Sequence, residues 1–219
     1  FPGIQLAAER FRSIGSSMFA TPSRYAARKA LEEFMPRAKF YTKERNFDRG
    51  PDDRENVSQL SPYLRHRLVT EKEVWEETLE NHSFDSVEKF LQEVVWRTYW
   101  KGWLERRPQV WDEWVDAVGR LENSQELEEA RAGKTGIGAF DTWAKELVAT
   151  NYLHNHARMW FASIWIFTLR LPWEAGAAFF LEHLLDGDPA SNTLGWRWVA
   201  GLQTRGKHYV ARADNIRRF

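Results

Sequence analysis

The run Asp186-Gly187-Asp188-Pro189-Ala190-Ser191-Asn192, continued by Thr193-Leu194-Gly195-Trp196-Arg197-Trp198, gathers two carboxylates, a carboxamide and two indoles into one short stretch. Acids and amides of this kind can hydrogen-bond the edge of a flat heterocycle, and indoles can stack on its face. The glycines permit close approach of backbone to a ligand. A turn followed by a helix with buried indoles accounts for the local pattern equally well. Upstream, Arg158 stands inside an otherwise apolar helical run. A buried guanidinium needs a carboxylate, for which Asp186 and Asp188 are the natural candidates. Phe90, Glu93, Trp96, Arg97 and Trp100 recur at steps of three and four and so share one helix face. That face is either a pocket wall or a solvated edge with a Glu93–Arg97 ion pair. Val57-Ser58-Gln59-Leu60-Ser61 precedes a helix start, where hydroxyls cap the helix or join free N–H groups in holding phosphate.

Other chemistries are excluded. There is no cysteine, hence no disulfide, thiolate nucleophile or cysteine-held metal, and this fits a cytoplasmic protein. His154 and His156 lack the spacing of a helical metal pair, and no metal site is expected. Gly133-Lys134-Thr135 lacks the first glycine of a phosphate-binding loop, since position 128 is Glu, and reads as a helix entry. The 31 basic and 31 acidic residues cancel, so any contact with nucleic acid must rest on a local patch. The longest mostly apolar run, Met159 to Phe167, is too short to cross a bilayer, and no membrane partner is expected. The sequence begins at Phe1 without a signal peptide, as in a trimmed or partial chain.

The elements that must position these groups are all helical. Apolar spacings of three and four recur throughout, and period-two alternation is missing. Thr21-Pro22 opens a first helix with Tyr25, Ala26, Leu31 and Phe34 on one side, ended by Pro36. Asn46 to Asn56 is a polar loop. Ser86 caps a long helix to about Arg106, Ile137 to Ala149 forms another, and an apolar helix carries Arg158 to Leu169. The last long helix before the acidic stretch begins at Leu171-Pro172-Trp173-Glu174.

In this order and at these intervals, several segments resemble the photolyase/cryptochrome family from about Ala26 to Ala200. They are Ser58-Gln59-Leu60-Ser61-Pro62-Tyr63-Leu64, Glu93-Val94-Val95-Trp96-Arg97, Thr135-Gly136, His154-Asn155-His156-Ala157-Arg158-Met159, and the stretch from Asp186 to Trp198. The resemblance implies an all-α, multi-helix bundle, a single FAD-binding domain over residues 1–219 with 1–20 and 206–219 at its periphery. The cofactor it implies is FAD. Tyr41 (with Arg45), Val57, Ser58, Leu60 and Ser61 match positions that hold its phosphates. Arg158 paired with Asp186 would lie against the isoalloxazine, Asp188 at its pyrimidine edge and Asn192 near N5, with Arg97 and Asn155 also matching positions beside the cofactor. The partner implied is damaged DNA, single- or double-stranded. Trp96 and Trp198 match the stacking walls for a cyclobutane pyrimidine dimer, and Glu93, Asn155, Met159 and Arg97 the contacts around it. Trp196 and Trp173 match the inner and middle indoles of an electron relay.

Departures from the pattern accompany the match. Arg120 stands at the outer relay position, with Trp111, Trp114 or Trp143 as substitutes. Arg67 replaces a usual glycine, and His156 an arginine that can touch lesion phosphate. The sequence carries no counterpart of the family's N-terminal α/β antenna domain. Two functions are therefore weighed: light-driven repair of pyrimidine dimers by a lyase, and a cryptochrome-like blue-light sensor without repair.

Overall fold

A computed structural model describes residues 22–219, and among these no strand is present. The Thr21 part of the first helix entry lies outside the described residues. Ser23 is the cap, accepting from the Ala26 N–H at 3.1 Å, and α1 runs Arg24–Phe34. Ala27, Leu31 and Phe34 form its buried side, whereas Tyr25 is 79% exposed. Ala27, not Tyr25, is in phase with Leu31 and Phe34, being four and seven residues from them. Pro36 does not stop the chain: it sits in the first turn of a 3-10 helix, Met35–Phe40, where its missing N–H costs nothing, and α2 (Tyr41–Glu44) follows.

Helix α3 (Ser61–Arg65) is short, and α4 (Glu71–Asn81) carries a reciprocal Thr70–Glu73 capping box. The long helix α5 spans Phe84–Glu105 from an N-cap at Ser83. Ser86 instead hydrogen-bonds back to the Ser83 carbonyl. Beyond lie α6 (Gln109–Gly119), α7 (Gln125–Arg131) and α8 (Gly138–Thr150). The Lys134–Gly136 turn is tied down by Asp141, which accepts from both Thr135 N–H and O–H and from Gly136 N–H. Helix α9 (Asn155–Ser163) widens into a π turn over Ile164–Thr168, a feature frequent near functional sites. Then come α10 (Trp173–His183), α11 (Pro189–Val199) and α12 (Ala213–Arg218).

Helix α11 is the hub, packed along both α5 and α10 and touching α6 and α9. The core has two parts. A larger one is built from α6 to α11 around Phe140, Phe161, Trp165 and Trp196. A smaller one joins α1, α3, α4 and the first half of α5, with Tyr152. The segment 206–219, expected at the periphery, lies against the larger core through Tyr209, Ala211, Ile216 and Phe219. No described helix is long and apolar enough to cross a membrane.

Candidate functional site

Polar groups fill the seam between the two cores, and Asp186 is their centre. Arg158, in the first turn of α9, meets it in a bidentate pair with Nη1–Oδ1 at 3.0 Å and Nη2–Oδ2 at 2.9 Å. The Arg158 Nε–H is fixed separately on the Leu153 carbonyl at 2.8 Å. Ser61, at the start of α3, hydrogen-bonds the same carboxylate. Burial alone would raise the Asp186 pKa, but Arg158, Arg97 and Ser61 outweigh it and hold the group ionised below its ordinary value. Arg65 donates to the Gly187 carbonyl at 2.8 Å, so α3 is locked to the acidic stretch at two points. Gly187 has no room for a side chain: a Cβ would fall 2.9 Å from the Leu184 carbonyl oxygen.

Asp188 is the N-cap of α11, accepting from Ser191 N–H at 3.3 Å and Ser191 O–H at 2.7 Å. Arg97 reaches the same oxygen at 3.4 Å as an ion pair without hydrogen-bond geometry. That Arg97 Nη1 is buried without a hydrogen-bond partner, as is the Thr193 hydroxyl of α11. Asn192 donates through Nδ2 to the Ala177 carbonyl at 2.7 Å, which orients its carboxamide against α10.

The Glu93–Arg97 ion pair does not form. Glu93 binds Arg45 at 2.5 Å and Lys89 at 3.1 Å, while Arg97 turns to Asp188. An exposed i,i+4 pair contributes only a few tenths of a kcal/mol, so tertiary partners win easily. Arg45 also stands 5.9 Å above the Tyr41 ring, and burial, assisted by Glu93, pushes the Tyr41 phenol well above its ordinary pKa. In the hydroxyl-rich segment, Val57 N–H donates to the Arg54 carbonyl and Leu60 N–H to the Ser58 hydroxyl. The Leu60 side chain belongs to the smaller core.

Asn155 is exposed and Met159 half-buried one turn later on α9. His156 stacks on Trp160 at 4.3 Å and is held by the Asn46 carbonyl and the Tyr209 hydroxyl. Trp96 is 40% exposed. Trp198, 36% exposed, stacks on Tyr209 at 5.7 Å and borders a cavity of about 340 Å³ with Lys207 and His208. Trp196 points the other way, into the larger core, 5.1 Å from Phe180 and 6.1 Å from Trp165. Trp173 is half-buried beneath the Arg197 guanidinium. Among the substitute indoles, Trp143 stacks on Trp160 inside the core, and Trp111 and Trp114 pack on each other at 4.8 Å. Arg120 is the exposed C-cap of α6.

Sequence reasoning missed a second buried network. Arg54, 3% exposed, pairs with Asp48 at 2.8 Å and with Glu146 of α8, tying the polar loop to the bundle. It also lies over the Tyr152 ring, whose vicinity Arg158 shares. No local signal marks Arg54, because its partners come from distant segments. Tyr209 was missed for the same reason.

The donor set suits a polyanionic, flat heterocyclic cofactor: arginines and hydroxyls, two buried carboxylates and a carboxamide, and a buried Arg97 nitrogen beside Asp188 that has no hydrogen-bond partner. Comparison with known proteins agrees. Residues 90–218 match the family model described as the FAD binding domain of DNA photolyase. The deoxyribodipyrimidine photo-lyase of Agrobacterium fabrum is 31% identical across 91% of the chain and 45% of its own length. That of Thermus thermophilus is 35% identical across 78% of the chain and 40% of its own length. Among solved structures, a bacterial class III photolyase from Agrobacterium tumefaciens superposes with a TM-score of 0.74 at 27% identity, covering 90% of the chain and 44% of that protein. The chain thus spans less than half the length of the relatives it matches.

Proposed function

The chain belongs to the photolyase family as an FAD-binding domain, and from that premise we propose that it is a light-dependent lyase splitting cyclobutane pyrimidine dimers in DNA. When bound, reduced FAD supplies the photoexcited electron that opens the dimer and takes it back. Arg158 and Asp186, held to each other as a bidentate pair, would lie against the ring system as a fixed dipole at its edge. Asp188 and Asn192 orient its polar edge. Tyr41, Arg45 and the segment Val57, Ser58, Leu60 and Ser61 hold the phosphates, and Arg97, with its unfilled N–H, supplies a further donor.

Trp96 and Trp198 form the walls against which a flipped-out lesion stacks, and Glu93, Asn155 and Met159 line its edges. Glu93 is held ready by Arg45. Trp196 and Trp173 carry electrons inward from the surface. The observation that best supports this reading is the buried Arg158–Asp186 pair just ahead of α11, whose two indoles divide between the core, where Trp196 is 3% exposed, and the surface, where Trp198 is 36% exposed. The decisive experiment loads the protein with FAD, reduces it and illuminates it with a dimer-bearing oligonucleotide. Release of intact pyrimidines is the expected result. Intact dimers after prolonged illumination of fully reduced, flavin-loaded protein would transfer the assignment to a blue-light sensor.

A further inference from the structure

The second half of α5, tied to α11 through Arg97 and Asp188, leaves one face open to solvent. Val94 is the last buried residue of that helix, yet Trp96, Tyr99, Trp100 and Trp103 all follow it. Their spacing of three, one and three places them on one stripe. Trp96 and Trp100 stack at 5.4 Å with 24° between planes, and Tyr99 sets its edge against both, at 5.3 and 5.1 Å. Tyr99 is 53% exposed. Arg107 lies 4.4 Å above the Trp103 ring. Exposed aromatic surface of this extent marks an interaction site.

Charge selects the occupant. From Val95 to Arg107 the sequence carries Lys101, Arg106 and Arg107 in addition to the engaged Arg97, against Glu105 alone. This is a local basic patch in a chain with no net charge. Four residues of helix advance about 6 Å, so Trp96, Trp100 and Trp103 spread aromatic rings over roughly 10 Å, with Trp96 and Trp100 stacked on each other and Tyr99 the most exposed ring of the group. Stacking platforms interleaved with cations fit single-stranded nucleic acid, whose bases are free to leave one another. An apolar protein segment would gain nothing from the arginines at the far end.

We infer that the Trp96–Arg107 stripe binds single-stranded DNA running along α5 away from Trp96, so that bases flanking the lesion stack on Tyr99, Trp100 and Trp103 while Arg106 and Arg107 meet the phosphates. This extends the lesion-binding reading, on which the role of Trp96 as a lesion wall rests. The partner class is therefore a single strand, or a duplex opened beside the lesion.

The test measures binding of flavin-loaded protein by fluorescence anisotropy to three DNAs: a long single strand carrying a dimer, the same strand undamaged, and a trinucleotide containing the dimer. The variants are Trp103→Ala, and Tyr99→Ser with Arg107→Gln, the last two at exposed positions. Each is expected to weaken both long strands by about ten-fold while leaving the trinucleotide and the flavin absorbance unchanged. Arg107→Gln is also expected to lower the salt dependence of binding by about 0.7 of a log–log unit. Equal binding of long strands by the parent and by the exposed-site variants overturns the inference. A concentration-dependent dimer that Tyr99→Ser dissolves, with DNA affinity unchanged, also overturns it by assigning the stripe to a second copy. If the variants weaken both long strands but the dimer itself adds no affinity and Trp198→Ala has no effect, the stripe stands and the lesion pocket falls.

Discussion

Trp196 and Trp198 leave α11 two residues apart and end in different media: Trp196 is 3% exposed within the larger core, Trp198 36% exposed against Tyr209. Two helical residues are turned about 200° around the axis, so the helix itself is the partition. Trp198→Ala is therefore expected to lower affinity for dimer-bearing DNA by about ten-fold or more without loss of flavin. Trp196→Phe keeps an aromatic plug in the core and is expected to leave that affinity intact while slowing blue-light reduction of the flavin. DNA titration and the rate of spectral bleaching separate the two.

Arg158 and Asp186 are a buried pair, and removing one partner strands the other charge. Asp186→Asn is expected to cost about 3–5 kcal/mol in urea unfolding. Replacing both, Arg158→Met with Asp186→Leu, is expected to recover much of that stability. Both variants lose bound flavin, which absorbance at purification reads directly.

Gly176 lets α10 and α11 approach. A Cβ there would lie 2.2 and 2.5 Å from Trp196 ring carbons and 3.0 Å from Trp165. Gly176→Ala is expected to cost about 1–3 kcal/mol through overpacking and to displace the Trp196 indole. Thermal melting checks the first effect, and a change in tryptophan near-UV circular dichroism the second.

Acid should loosen the fold at His154. Its ring Nδ1 accepts from His156 N–H at 3.2 Å, and burial, reinforced by Arg54, His156 and Arg158 against the opposing Asp48, holds its pKa down to about 4. The unfolded imidazole protonates near 6.5. The unfolded state thus binds the extra proton first, so this contribution to stability is complete above pH 6.5 and is lost as pH falls toward 4. His154→Asn retains a capping oxygen and cannot titrate. Its urea midpoint is expected to fall less steeply across that window, with a residual slope from His66 and His156, both lowered by burial.

Arg67 adopts φ 58°, in the left-handed region that favours glycine. Arg67→Gly relieves roughly 1–2 kcal/mol of backbone strain but gives back part of it to the freer unfolded chain. It also gives up the exposed ion pair with Glu71. A net gain of about 0.5 kcal/mol in urea unfolding is expected.

Local order fixes what the sequence makes legible. Helical periodicity, cap residues and the helix-breaking loops depend on neighbours a few positions away, and they placed the helices Arg24–Phe34, Phe84–Glu105 and Gly138–Thr150 within a turn, whereas Glu71–Asn81, Gln109–Gly119 and Gln125–Arg131 carried no comparable signal. The ordered segments from Ser58 to Trp198 carried the family. The demand of Arg158 for a carboxylate is likewise a property of its own apolar surroundings, and Asp186 answers it. Partner choice among charges is different, because it is settled by distance in space. Glu93 lies four residues from Arg97 yet binds Arg45, and Arg54 finds Glu146 across 92 residues. Pattern placed Tyr25 on the buried side of α1, but the phase of the fold put it in water. The Tyr209 ring reaches Trp198 only after the tail has folded back over the bundle. Sequence named the candidate groups; tertiary packing decided which of them meet, because burial and charge pairing act through space and not along the chain.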